Sequence, residues 1–492
     1  MMPDKKGAID MFGNLVQKEL KAISTSPKFV ATFLVCSFLM IVSVFIGINE
    51  YKQAVIQYET VHQLADEGLN RTSNWRSISY REHRKPSSLQ IFSSGLAYDI
   101  GRWSDIDANS TVKMKHSIYS DDPIFAVFRV LDFTFIVQIV FSLLAILFTF
   151  DAINGEKENG TLRLIFSNSV PRTTYLLAKA VGSWLGLIVP ILLPILISLL
   201  LVVLYQVPMT GDEWIRLILL IAVSILYITF FILFGLFISS TTSRSSVSFM
   251  FSLVFWIAFV LIIPRGGVVA AGHIVSVPSL GEIEGMRDAY AKNKWETFYA
   301  ESEKRWQARD NEEREEEVND DEIWARMNEE DSIRKVVTLD IEDYESLLMD
   351  DWKNKQRTQQ NLGFALARFS PAATYQLATT TLSVTDLTLK SIYEEAFTDY
   401  RKEFNDYIDE KSADAGPGAG AVMITMDSEK GFDLSMGKDN AIDVSDRPLF
   451  VHPKIQTADI LGELTSNVAI LLFMILLVLI GSYISFTKYD LR

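Results

Sequence analysis

Cysteine and histidine are scarce in this sequence of 492 residues, and both shortages exclude classes of protein. The single cysteine, Cys36, excludes a disulfide scaffold and a thiolate metal cluster. A net charge of −15 argues against nucleic acid as a partner. The histidines show neither H-x-H nor H-E-x-x-H spacing, so we predict no metal site: they are His62, His83, His116, His273 and His452.

Charge is also absent from six long apolar stretches. Hydrophobic residues make up 49% of the chain and charged residues 22%, so the two classes must be segregated along it. A membrane span needs about 20 apolar residues, whereas buried core helices, the alternative, suit runs of about 10–14. We therefore predict an all-α membrane protein with six transmembrane helices, at 29–48, 133–150, 180–205, 217–239, 246–263 and 467–486. The first is predicted to be a retained anchor rather than a signal peptide because no cleavage site follows it.

The distribution of lysine and arginine predicts the orientation of the spans. Residues 1–28 carry five basic residues and 151–179 carry four, whereas the short 206–216 loop has only Arg216. By the positive-inside rule both termini, including the tail 487–492, are cytoplasmic. The loops 49–132 and 264–466 are then extracytoplasmic, and the first begins as a helical continuation of its span.

The second outer loop is predicted to be a large, mostly helical acidic domain with minor β structure. Residues 264–466 contain 23 basic and 41 acidic residues, a net charge of −18. Its charged part, 282–360, indicates long solvated helices or a hairpin, with a disordered acidic linker as the alternative. Ser370-Pro371 marks a helix start, and short β pieces are expected within 421–450. An apolar stripe favours a core over a ligand groove: Leu389, Tyr393, Ala396, Phe397, Tyr400, Phe404, Tyr407 and Ile408.

The segment after the second span contains the most informative pattern. Gly160-Thr161 begins a short helix in which Leu162, Ile165 and Phe166 share one face, and Pro171 ends it. An apolar face without an adjacent core needs a partner to cover it, although a merely solvated loop is the alternative. Gly155 and Gly160 mimic a phosphate-binding loop, but Thr161 stands where the lysine should be, so the chain lacks a Walker A motif.

These residues resemble those of ABC-2-type ABC transporter permeases, in the loop between spans two and three. The matching positions are Glu156, Gly160, Thr161, Leu162, Ser167, Pro171 and Arg172. An amphipathic segment before the first span and the tail after the last are also similar to that family. The large domain between spans five and six resembles a subfamily related to gliding-motility and nitrous-oxide-reductase-maturation permeases.

The resemblance implies a division of labour between subunits. The permease would form the path across the lipid bilayer, and two separate cytoplasmic ATPases, holding ATP and Mg, would dock on a coupling helix. The docking element would comprise Glu156, Glu158, Gly160, Thr161, Leu162, Ile165, Phe166 and Arg172, with the two glutamates positioning it. This chain would hold no cofactor, would pair with a second copy or a sibling permease, and would lie in a prokaryotic inner membrane.

Three further alternatives concern what the chain does. The absence of ionisable residues from the six stretches disfavours an ion-driven transporter and favours export or extraction of an apolar or amphipathic substrate by ATP. Alternatively, ATP turnover would move the outer domain against an envelope protein. An enzyme is disfavoured because no nucleophile–base constellation is present.

Gly182-x-x-x-Gly186 predicts close helix packing, either within the chain or across a dimer.

Overall fold

The computed structural model describes residues 5–69, 78–107, 114–115, 131–167, 170–312, 320–414, 422–427, 431–436 and 444–488. The described residues are 81% helical, which confirms the mainly helical fold class. Within the described ranges, five helices are long and apolar enough to span a membrane: Pro27–Leu69, Arg172–Leu204, Gly211–Thr241, Ser245–Ile274 and Thr457–Thr487. At the predicted second span the apolar helix is shorter, Phe133–Leu147, so the count of six spans stays a prediction.

The chain divides into two compact units, and the predicted outer domain 264–466 is shared between them. Unit 1 comprises Met1–Leu261 and Ser370–Arg492, and unit 2 comprises Ile262–Phe369. The helices of unit 1 are α1 (Lys5–Ser24), α2 (Pro27–Leu69), α3 (Phe133–Leu147), α4 (Asn154–Glu158), α5 (Thr161–Ser167), α6 (Arg172–Leu204), α7 (Gly211–Thr241) and α8 (Ser245–Ile257). Those of unit 2 are α9 (Ile263–Ile274), α10 (Leu280–Glu312) and α11 (Asp320–Ala367). Unit 1 ends with α12 (Pro371–Ser383), α13 (Leu387–Asp414) and α14 (Thr457–Thr487).

Helix α7 lies at the centre of the apolar bundle of unit 1. It packs against α3, α12 and α14, and it is the most buried of the candidate spans. Trp256 of α8 donates from its ring N–H to the Ser142 hydroxyl of α3 at 2.8 Å. The neighbouring turns of α3, Ile136–Phe141, are π-helical. These polar contacts satisfy groups that would be costly to leave unpaired in hydrocarbon.

Helix α12 is buried within this bundle although it is only 13 residues long. Ser370 accepts hydrogen bonds from the N–H groups of Ala372 and Ala373, at 3.0 and 3.2 Å, which confirms the helix start predicted at Ser370-Pro371. The ring of Tyr375 stacks on Tyr227 of α7 with centroids 4.4 Å apart. The helix was predicted to lie in the outer domain 264–466, whereas it packs against α7 and α14.

A second core of unit 1 forms around α13. The apolar stripe of this helix is buried against the end of α2 and a hairpin of β1 (Tyr80–His83) and β2 (Trp103–Ile106). The strands are antiparallel, with Tyr80 opposite Ile106. The predictions that the stripe is a core and that α2 continues beyond its span are confirmed. Strands β3 (Val422–Asp427) and β4 (Gly431–Met436) form a second antiparallel hairpin, which confirms the predicted minor β structure.

Unit 2 is built on an antiparallel pair of long helices, α10 and α11. Tyr290 stacks on Tyr344 with centroids 4.0 Å apart, and Lys294 pairs with Asp340 at 2.6 Å. Nearer the tip, Arg305 pairs with Glu330 at 3.5 Å, so residue numbers rise on one helix as they fall on the other. These contacts confirm a helical hairpin over the described residues of 282–360.

Glu82 of β1 gives the core around α13 a dependence on pH. The side chain is 1% exposed. Burial raises the pKa of its carboxyl to about 8, against the opposing effects of the His83 N–H and Arg447. The folded state therefore retains a proton that the unfolded chain loses above about pH 4.5, so stability decreases as the pH rises from there to about 8.

We expect Glu82→Gln to remove this decrease because the amide cannot ionise. The variant should unfold at a higher temperature than the wild type above about pH 8 and at nearly the same temperature near pH 4.5. Thermal unfolding of the detergent-solubilised protein across this range measures the effect. Parallel profiles for the two proteins would contradict the raised pKa.

Candidate functional site

The predicted coupling element forms two short helices, α4 and α5, joined at Gly160. This glycine has a φ of +72°, a left-handed conformation that ends α4 and is costly for other residues. A Cβ at this position would meet nothing within 4 Å, so the requirement comes from the backbone rather than from space. Thr161 then donates from its hydroxyl to the Glu156 carbonyl at 3.1 Å, which fixes the angle between the helices.

The inner face of α5 packs against the rest of unit 1. Leu162 is 1% exposed, and Ile165 and Phe166 pack beside it. The cluster that covers these three side chains comprises Ile153, Val170, Tyr175, Leu176 and Phe486, with Met11 and Leu15 at its edge. The structure therefore brings the predicted apolar face together, but the chain itself supplies its cover.

The outer face of α5 is exposed. It contains Thr161, Arg163, Leu164 and Ser167, and it continues to Gly160 on the connecting turn. Leu164 is 67% exposed, an unusual state for a leucine beside a well-packed cluster. Leu164 could not be predicted from the sequence, because the apolar stripe of Leu162, Ile165 and Phe166 lies on the opposite side of the helix.

Glu156 joins α4 to α1 and α6 through a buried ionic network. Its carboxylate accepts from Lys18 at 2.8 Å, from Lys179 at 2.9 Å and from the Tyr175 hydroxyl at 2.6 Å. Lys179 also pairs with Glu19 of α1 at 2.6 Å. Burial alone would raise the pKa of Glu156, but the charge of Lys179 and these hydrogen bonds lower it below its ordinary value. The carboxylate is thus ionised and holds the two helices together.

Glu158 fastens the other end of α4 to the start of α8. Its carboxylate accepts from the Ser245 hydroxyl at 2.7 Å and from the Ser245 N–H at 3.1 Å. These hydrogen bonds lower the pKa of Glu158. Ser239 of α7 accepts from the N–H groups of Ile153 and Asn154, at 3.0 and 3.2 Å. The element is therefore anchored to both helices that flank the turn between α7 and α8.

Arg172 lies apart from the exposed face and contacts the end of α14. Its guanidinium donates to the carbonyls of Phe486 and Thr487 at the C-terminal end of the helix. A cation at this end is also favoured by the helix dipole. Arg172 therefore links the start of α6 to the end of α14.

Gly182 and Gly186 allow α1 to approach α6 closely. A Cβ at Gly182 would lie 2.6 Å from the Glu19 Cβ, and one at Gly186 would lie 3.1 Å from Ile23. The glycine spacing predicted close helix packing either within the chain or across a dimer. The contact between α1 and α6 is of the first kind. It brings Glu19 to Lys179, so the glycines and the ionic network act at one interface.

The described residues contain no group of three or more histidine, cysteine or acidic side chains that could hold a metal ion. The geometry instead defines a membrane protein with an exposed helical element anchored to five surrounding helices, α1, α6, α7, α8 and α14. The chain matches the model of the ABC-2 family transporter proteins over residues 13–491. It therefore belongs to the ABC-2 family, as the loop motif predicted. A comparison with curated proteins finds no match.

Family membership gives the coarse function directly. The chain is a multi-pass membrane permease subunit of an ABC transporter, and it is not itself the ATPase. It works with an ABC ATPase subunit. The outer-domain subfamily and its gliding-motility and maturation relatives stay a prediction, as do the orientation and the site residues.

Proposed function

We propose that this permease exports or extracts an apolar or amphipathic substrate, driven by two cytoplasmic ATPase subunits that dock on the outer face of α5. A second permease copy or a sibling permease completes the transporter. ATP and Mg are bound by the ATPases, and both termini face the cytoplasm of a prokaryotic cell. The docking surface comprises Gly160, Thr161, Arg163 and Leu164.

The observation that carries this proposal is the two-sided packing of α5. Its inner side is anchored to α1, α6 and α14, while its outer side presents Leu164 at 67% exposure. An exposed apolar side chain rimmed by polar residues is typical of a protein interface. A load applied there reaches α6 through Lys179 and α8 through Glu158, so displacement of the ATPase moves the spans.

We expect Leu164→Asp to abolish ATPase docking while leaving the permease folded. A charge in the centre of an apolar contact costs about 2–4 kcal/mol, so the copurified ATPase and its permease-stimulated activity should fall at least about tenfold. Leu347→Asp is the matched control, because that leucine of unit 2 is also 67% exposed. Both variants should unfold at the wild-type temperature.

Retention of wild-type ATPase binding by Leu164→Asp would remove α5 from the interface. Leu162→Asp and Phe166→Asp separate docking from folding. They introduce a charge on the packed side, so they should lower the unfolding temperature before any effect on docking is considered.

A second candidate function, in which ATP turnover moves an envelope protein, is favoured by the helical hairpin of unit 2. A long, charged hairpin stabilised by ion pairs such as Lys294–Asp340 is more than a substrate path requires. Deletion of residues 289–345 with a short glycine-serine linker removes this hairpin and leaves the α13 core intact. If cells with the deletion show the same defect as cells without the whole protein, while assembly and basal ATPase activity are retained, mechanical transmission is favoured. If cells with the deletion behave as wild-type cells do, mechanical transmission is eliminated.

A further inference from the structure

A cavity of about 280 Å³ lies in unit 1 at the end of α2 opposite to α1. It is formed by the part of α2 beyond the apolar stretch, by strands β1 and β2, and by the segment 84–102 that connects the two strands. The side chains that matter here are Tyr58, Arg81, Arg84, Tyr98, Arg102 and Trp103. Aromatic side chains and guanidinium groups thus line one space.

The cavity is positively charged although the protein is strongly acidic. Its lining includes three arginines and, among the described residues, no carboxylate. Arg81 stacks over Trp103 at 3.8 Å and pairs with Asp105 behind the lining at 3.2 Å. Arg102 donates to the Gln57 side chain at 2.8 Å. The neighbouring His83 adds no charge near neutral pH, because burial lowers its pKa to about 4.

Arg84 is the arginine whose charge the described residues leave uncompensated. Its Nη2 donates to the Ala97 carbonyl at 2.7 Å, and its Nε is buried without a hydrogen-bond partner in the described part of the chain. Partial removal from water also lowers the pKa of Arg84. A partly buried cation with no anion beside it is unfavourable, and an anionic ligand with bidentate geometry removes that cost.

The position along α2 indicates where the ligand comes from. The apolar stretch ends at Ile48, and the lining residues of α2 run from Ala54 to Val61. At about 1.5 Å per residue they lie about 9–20 Å beyond the hydrocarbon. The headgroup layer is only about 5–8 Å thick on each side. The cavity therefore faces water rather than the lipid headgroups.

We propose that this cavity binds a small soluble organic anion, held by its carboxylate or phosphate group on Arg84 and Arg102 and by its apolar body on Trp103. The volume is slightly below the range of about 300–1,000 Å³ for drug-sized ligands, which fits a small molecule rather than a peptide. The site is at the opposite end of α2 from the docking element, so it would report on external solutes.

The test uses the full-length protein in nanodiscs of zwitterionic lipid, titrated with phenyl phosphate in a calorimeter. We expect saturable binding that weakens about ten- to hundredfold in Arg84→Met, because charged hydrogen bonds are lost. Inorganic phosphate should bind more weakly because it lacks the apolar body. Arg287→Met in unit 2 is the matched control and should bind as the wild type does.

Three results would overturn the proposal. They are no saturable binding, equal binding by wild type and Arg84→Met, and competition by phosphatidylglycerol in the nanodisc, which would assign the site to a lipid headgroup. Without ligand, Arg84→Met should unfold no earlier than the wild type because an uncompensated cation is removed. If it fails to fold, Arg102→Gln provides the second variant, with the same expected loss of affinity.

Discussion

Replacement of Lys179 by methionine should detach α1 from α6 and destabilise the protein more than other single changes at the docking element. The ammonium is 4% exposed and lies 2.6 Å from Glu19 and 2.9 Å from Glu156. Removing one partner of a buried ionic network leaves uncompensated charge and costs about 3–5 kcal/mol. We expect a lower unfolding temperature in nanodiscs and faster proteolysis of α1.

The double variant Lys179→Met with Glu19→Gln is the informative control. It removes one charge of each sign and leaves the Lys18–Glu156 pair at 2.8 Å, so most of the lost stability should return. If the double variant is as unstable as Lys179→Met alone, the loss comes from packing and the ionic account is wrong. We also expect permease-stimulated ATPase activity to be lower in Lys179→Met than in the double variant, because α1 and α6 are the helices to which Glu156 connects α4.

Gly235→Leu should disrupt the junction between α3 and α7. A Cβ at this position would lie 1.9 Å from the Thr149 hydroxyl oxygen and 2.9 Å from its Cβ. Thr149 is fully buried and donates to the Ala145 carbonyl, so it has little freedom to move. Overpacking of this kind costs about 3 kcal/mol, and it should displace the chain that leads into α4.

Gly462→Leu in α14 is the matched control, because a Cβ there meets nothing within 4 Å. We expect the control to have the unfolding temperature of the wild type and to stimulate the ATPase as strongly as the wild type does. Gly235→Leu should unfold at a lower temperature and give little stimulation. Equal behaviour of the two variants would show that close approach of Thr149 is unimportant.

The parts of the fold that the sequence predicts are those with local causes. Long apolar runs without charge are typical of membrane helices. A serine followed by proline indicates a helix start within about four residues. Recurrence of apolar residues every three or four positions on α13 likewise predicted its core face. The register of the α10–α11 hairpin was not predictable, because pairs such as Tyr290 and Tyr344 are separated by more than 50 residues.

The docking element has features that its local sequence does not predict. Helical spacing identified Leu162, Ile165 and Phe166 as one face, which the structure bears out as geometry. What covers that face comes from distant parts of the chain, such as Met11 and Phe486, and spacing has no information about them. For the same reason Lys179 counted only as a positive charge near a span, although it is the centre of a buried network.

The burial of α12 has a consequence for the biogenesis of the protein. Thirteen residues extend about 20 Å, which is too short to cross about 30 Å of hydrocarbon, and the helix includes Thr374, Thr379 and Ser383. Such a segment is a poor substrate for insertion by a translocon on its own. It packs against α7 and against α14, which is synthesised after it. The bundle is therefore completed only after translation of α14, and a newly made chain passes through a stage at which membrane proteases could recognise the unseated helix.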